Sequence, residues 1–280
     1  MTMRVGRIPY INCYPVYGGI DRGIVALDAQ LVDGIPSALN RRMAQGTLDV
    51  SVISAVEYAR DTARYLLLPD LAISCDGPVR SVILFSRVPA ERLGGRRVLV
   101  TRSSMTSVAL LELLFEHVWS ARPTLVPADA EIADLARAEQ PDHDARLVIG
   151  DAALLLSSGA SDLAREYPHA YDLGAAWKAR TGLPFVFAVW VAQRSAPVEL
   201  SLALHAQLIR SRDWGLAHLD VLADQAASAT GVTRTAALEY LSGLDYGLRY
   251  EHLAGLTTFF GKLAASGRVP NGSLVFLPAA

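Results

Sequence analysis

The chain has 280 residues, half of them apolar, which is more than one core usually organises and suits two lobes. Its 26 basic and 28 acidic residues are interspersed and leave a net charge of −2, so no basic stripe is present to follow a nucleic-acid backbone. No run approaches the ~18 consecutive apolar residues of a membrane span, the first residues lack the apolar stretch of a secretory signal, and Cys13 and Cys75 are too few for a disulfide framework. A cytoplasmic chain with reduced thiols is the expectation.

Short apolar runs alternate with stretches of helical period, the pattern of βαβ units and an α/β fold with mostly parallel sheets. The spacing predicts strands at residues 4–8, 28–32, 50–53, 81–85, 97–100, 124–126, 147–149 and 185–191. Pro36 suits a first helical turn and Gly46 the end of that helix. After the turn at 101–107, Val108, Leu111, Leu114, Phe115 and Val118 recur at helical spacing.

Two runs, 79–85 and 183–192, are apolar enough to be fully buried strands, and between them lies a block with its own strand–helix alternation. Beyond the second run the sequence reads as helical, with Leu200, Leu204, Leu208 and Ile209 on one face. This order predicts an inserted lobe, residues 88–191, joined by two crossing strands to a first lobe of 1–87 plus 192–280. The crossings would act as a hinge around a central cleft, the architecture of type II periplasmic binding proteins.

Candidate ligand contacts fall where strands run out into turns, the usual place for small ligands in open α/β sheets. Asn12 has two readings: a turn-former bonding its own backbone before Pro15, or a ligand contact. Ser37 and Ser54 stand at expected helix starts, where N-capping and the binding of a carboxylate by free N–H groups are compatible. Thr101, Ser103, Ser104, Thr106 and Ser107 form the richest hydroxyl cluster, again at a helix start. Gly150 and Asp151 repeat the arrangement, glycine allowing close backbone approach and Asp151 serving as a cap or as a site residue. Ser86 and Arg87 follow the first crossing strand and would face the cleft from the hinge side, Arg80 is a candidate anion contact, and Cys13 reads as a packed small residue.

The histidines at 117, 143, 169, 205, 218 and 252 show no metal-ligand spacing, and the loop around His143 reads as solvated. Nucleophile motifs, phosphate loops and dinucleotide fingerprints are missing, so neither a metal nor a cofactor is expected. What is left is a cleft of hydroxyls, amides and helix ends, suited to a small anionic molecule.

The segments 7–15, 34–40, 46–58, 77–86, 149–154 and 171–177, with 181–190, resemble the chorismate dehydratases of the futalosine route to menaquinone, whose sisters are the dihydroxynaphthoate synthases. The resemblance spans nearly the whole chain and implies a two-lobed binding-protein fold. The implied reaction removes water from chorismate to give 3-[(1-carboxyvinyl)oxy]benzoate without metal or cofactor. It also places the family's active-site asparagine on Asn12, whose amide offers hydrogen bonds but no base, so a carboxylate of chorismate itself would take the C3 proton. The sister enzymes use a histidine of the middle lobe as base, and His117, His143 and His169 match no segment of theirs. A cytoplasmic solute-binding or sensor module is the reading from a different class.

Overall fold

The computed structural model describes residues 2–129, 142–157 and 163–278. In chain order these form β1 (Met3–Arg7), a 3₁₀ turn (Ile11–Cys13), α1 (Tyr14–Asp21), β2 (Ala29–Asp33), α2 (Pro36–Ala44), β3 (Val50–Ser54), α3 (Ala55–Arg60), β4 (Tyr65–Cys75) and β5 (Val82–Ser86). Then come β6 (Arg97–Thr101), α4 (Met105–His117), β7 (Thr124–Ala128), β8 (Ala145–Ile149), α5 (Gly150–Ser157), α6 (Leu163–Glu166), β9 (His169–Asp172), α7 (Leu173–Thr181) and β10 (Phe185–Gln193). Four helices follow: α8 (Val198–Ala217), α9 (Leu219–Thr230), α10 (Arg234–Gly243) and α11 (Tyr250–Ala265).

The strands build two five-stranded sheets, ordered β2-β1-β3-β10-β4 and β7-β6-β8-β5-β9. Each centres one lobe of a two-lobed α/β fold. The sheets are mixed rather than mostly parallel: β10 runs antiparallel to β3 and β4, and β5 runs antiparallel to β8 and β9. Both antiparallel strands stand beside a change of lobe.

Each expected crossing strand lies wholly within one sheet. β5 pairs only in the second sheet and β10 only in the first, so the chain changes lobe between Cys75 and Val82 and again between Asp172 and Phe185. The boundaries drawn at 87 and 192 therefore fall one strand late on each crossing. Apolar content marks a strand as buried, but the choice of sheet is made by hydrogen-bond partners distant in sequence.

β4 is absent from the sequence expectation because Pro69 and Asp70 interrupt its apolar run, and proline in a run argues against a central strand. The strand accommodates them by a bulge: pairing to β10 skips from Val189–Ala72 to Val191–Leu67, and Asp70 adopts φ +50°. α8 pins the bulge, with Arg212 3.2 Å from the Asp70 carboxylate and the His205 ring 2.8 Å from the Pro69 carbonyl. The outer edge of β4 is covered where Leu67 N donates to Val275 O and Leu277 N to Leu67 O, both at 2.8 Å. β9, only four residues and partly exposed, lacks the apolar signal of a strand.

The two crossings are tied to each other. Asp172 caps α7 by accepting from Ala175 N at 3.0 Å, and it also accepts from Val79 N at 3.0 Å and Arg80 N at 2.6 Å. Arg80 is held at φ +63° by these bonds and by an ion pair to Glu239 of α10 at 2.7 Å. Gly174 abuts the first crossing so closely that a Cβ there would lie 2.6 Å from both Cys75 Sγ and Gly77 O. Among the described residues no helix is long and apolar enough to cross a membrane.

Candidate functional site

β1 delivers the chain at the edge of the cleft, and the 3₁₀ turn that follows brings Asn12 into it. Opposite, from the second lobe, come the starts of α4 and α5. Between them lies a narrow cavity of about 60 Å³. Its polar lining consists of Asn12, Ser54, Ser81, Ser104 and Ser107, and its apolar walls include Ile8, Tyr10, Ile73, Val82, Ile149 and Phe187. Asp, Glu, His, Lys, Arg and Cys are all absent from the described lining, which offers neutral dipoles and shape.

Asn12 carries the clearest signal. Its Oδ1 is buried and has no hydrogen-bond partner among the described residues, so the turn is not held by this side chain. A buried acceptor left open costs about 1–3 kcal/mol and marks a place where a ligand donor fits.

Ser54 ends β3 and precedes α3 without capping it. Its Oγ accepts from Asn40 Nδ2 and its N–H donates to Asn40 Oδ1, both at 3.0 Å, so its hydroxyl hydrogen stays available to the cavity. Asn40 escaped the sequence reading because it sits mid-helix in α2, where nothing marks a side chain that reaches 14 residues ahead. Ser104 caps α4 by accepting from Ser107 N at 3.2 Å, and the two hydroxyls lie 2.9 Å apart. The free N–H groups and positive end of that helix dipole make a receptor for a carboxylate.

Gly150 opens α5 at φ +63°, and a Cβ on it would stand 3.2 Å from the Tyr10 ring. Both constraints favour glycine. Gly150→Ala is expected to cost about 1–2 kcal/mol of stability from the left-handed backbone and to displace Tyr10 from the cleft wall. Thermal denaturation and the Tyr10 environment, read by fluorescence, would check it.

The remaining expected contacts stand elsewhere. Asp151 accepts from Ile11 N at 3.1 Å, joining the lobes beside Asn12 rather than lining the cavity. Thr106 does the same, accepting from Val56 N at 3.2 Å. Thr101 Oγ1 accepts from Ser103 N at 3.0 Å, so Thr101 shapes the turn before α4, and Ser103 is buried behind it. Ser37 lines a separate groove outside the cavity.

Ser86 faces away from the cleft. It lies at the far end of β5, donating to Val88 O at 2.6 Å, about 16 Å along the strand from Ser81 at ~3.3 Å per residue. Ser81 is the hydroxyl that β5 presents to the cavity; it accepts from the buried Tyr240 OH at 2.8 Å. Arg87 likewise points away, pairing with Glu166 and the His143 carbonyl.

Burial pushes the Cys13 thiol up, and the nearby Asp151 charge adds to the rise, so it is a packed thiol without thiolate character. His143 is buried against the Tyr167 hydroxyl at 2.6 Å, not solvated. His169 stacks on Tyr171, and neither these two nor His117 lines the cavity.

The profile of the family described as menaquinone biosynthesis matches residues 3–265. This chain belongs to that family. It is 31% identical over 264 residues to a chorismate dehydratase of Thermus thermophilus, covering 90% of this chain and 94% of that protein. A 1,4-dihydroxy-6-naphthoate synthase of the same organism is 29% identical over 226 residues, covering 78% of this chain and 75% of that protein. Among solved structures, the alkanesulfonate-binding protein SsuA of Xanthomonas axonopodis pv. citri superposes with a TM-score of 0.69 at 15% identity, covering 98% of this chain and 96% of that one. That likeness concerns the fold, and it agrees with the two-lobed periplasmic-binding-protein architecture expected from the order of strands.

Proposed function

We propose that this chain is a chorismate dehydratase, which eliminates water from chorismate to give 3-[(1-carboxyvinyl)oxy]benzoate. The observation that carries the reading is the open Asn12 Oδ1 in a cavity whose described lining holds no ionisable side chain other than the Tyr10 phenol. At neutral pH both carboxyls of chorismate are ionised, and its C4 hydroxyl is the one hydrogen-bond donor it offers. An unsatisfied buried acceptor fits that hydroxyl, which is also the leaving group.

The C3–H and C4–O bonds break, a C3–C4 double bond forms, and the ring becomes aromatic. With no base in the lining, a carboxylate of the substrate takes the C3 proton, and that proton leaves with the hydroxyl as water. Asn12 holds the hydroxyl, while Ser104, Ser107 and the start of α4 face one carboxylate, and Ser54 and Ser81 are placed to donate to the other. The apolar walls keep bulk water from the reacting atoms and strengthen each of these contacts.

Lobe closure over the substrate is part of this reading, since a cavity of about 60 Å³ admits a molecule of this size only when the lobes part. So is a cytoplasmic location, which suits two buried thiols that are not joined in a disulfide. The test is incubation of the protein with chorismate. Loss of the diene absorbance with formation of an aromatic product is the expected result; binding with chorismate recovered intact would make the protein a binding module instead.

A further inference from the structure

Beside the cleft opens a groove of about 450 Å³ whose lining includes Ser37, Asn40, Arg41, Glu57, Arg60 and Met105. Met105 comes from the second lobe and the others from the first, so the groove straddles the seam between them. Two side chains of the first lobe reach Met105 Sδ across the seam, Asn40 and, at 3.9 Å, Arg60 Nη1. Asn40 Nδ2 lies 3.0 Å from Ser54 Oγ in the cavity wall and 3.5 Å from Met105 Sδ across the seam. Parting the lobes would break both contacts to Met105 and open the groove toward the cleft.

The groove lining carries three arginines, Arg41, Arg60 and Arg64, beside Glu57 and Asp61. Arg64 is matched by Asp61 at 3.0 Å and Arg60 lies 3.7 Å from Glu57. The guanidinium of Arg41, exposed on α2, has no ion pair or hydrogen bond among the described residues. The cavity behind it has no cationic side chain in its described lining. A dianion drawn to a neutral cleft is attracted by charge at its mouth, over a range of about one Debye length, ~10 Å at 0.1 M salt.

We infer that this groove is the mouth through which the dianionic substrate reaches the cleft, with Arg41 and Arg60 as capture charges and the Asn40–Met105 contact as the gate. The inference rests on the proposed reaction for the identity of the dianion. Arg41 and Arg60 touch no reacting atom in this arrangement; they act on the encounter.

The experiment measures kcat and kcat/KM with chorismate across ionic strength, together with stopped-flow association followed by intrinsic fluorescence. In the wild type, salt lowers both kcat/KM and the association rate. The double variant Arg41→Gln, Arg60→Gln is expected to lose roughly three- to tenfold in both at low salt, with kcat within about twofold of wild type. The deficit should close above about 0.5 M salt, where screening removes the steering from both proteins. Arg41→Lys, Arg60→Lys should restore the low-salt values, because steering needs charge rather than a fork of donors. A merely structural role would instead lower kcat or stability and ignore salt.

Equal kcat/KM and association rates in the Gln variant and wild type at low salt, or a deficit undiminished at high salt, would overturn the inference. Should the wild type leave chorismate unchanged, the proposed reaction fails instead, and the association traces, which need no turnover, still decide the mouth.

Discussion

Asn12→Ala is expected to lower kcat by roughly 100- to 1000-fold, the scale seen when one preorganised contact to the reacting group is removed. Stability should stay within about 0.5 kcal/mol of wild type or rise. The reason is the same observation read twice. Asn12 Oδ1 has no hydrogen-bond partner among the described residues, so its loss breaks no described hydrogen bond and removes a buried acceptor that the fold leaves open. Under the proposed reaction, the contribution of this oxygen is to the substrate complex rather than to the fold.

Asn12→Asp sharpens the test. The new carboxyl keeps the shape of the amide but, when ionised, adds negative charge facing a dianion and close to Asp151, which bonds to the neighbouring Ile11 N at 3.1 Å. Both neighbours favour the protonated acid and raise its pKa above the ordinary carboxylate range. Below that raised pKa the group again presents a neutral carbonyl acceptor, so activity should recover as pH falls and be lost as pH rises through it. The pH profile of kcat for this variant against wild type checks the sign. Unchanged turnover in both variants would remove Asn12 from the mechanism.

Asp172→Ala is expected to destabilise the protein by about 2–4 kcal/mol, made up of a lost N-cap and two backbone donors left without their partner. Its carboxylate receives Val79 N, Arg80 N and Ala175 N, and so ties the outgoing crossing to the returning one. Arg80 at φ +63° is kept in that conformation by the same carboxylate, and releasing it frees the first crossing. Chemical denaturation would show the loss, and kinetics would show a raised KM from a hinge that no longer sets the closing geometry. Asp172→Asn, which retains an acceptor oxygen, should recover part of both. A stability change below about 0.5 kcal/mol in the alanine variant would mean that the two crossings are fixed by packing alone.

Much of the architecture was legible because it depends on local periodicity. The eight expected strands all occur with ends shifted by one or two residues, and the helical tail is there as α8 to α11. β4 was missed for a physical reason. Pro69 and Asp70 carry the local signature of a break, while the strand is made by pairing to β10 more than 100 residues away and by the grip of Arg212.

The site divides in the same way. Asn12, Ser54, Ser104, Ser107 and Gly150 were visible because each sits where a strand ends or a helix begins, and the cavity collects such ends from both lobes. Ser86 was expected at the cleft and Ser81 was not, although both flank the same apolar run; sequence does not say which end of β5 meets the cleft. That depends on the antiparallel direction of β5 between β8 and β9.

By itself the sequence determined that there would be two α/β lobes and that the chain resembles one family throughout; these follow from spacing and residue type. The tertiary structure alone decided which hydroxyls share a cavity, that the Asn12 oxygen is left open among the described residues, and that Arg41 lines the neighbouring groove. Those properties are set by contacts between residues far apart in the chain, where no local pattern carries the information.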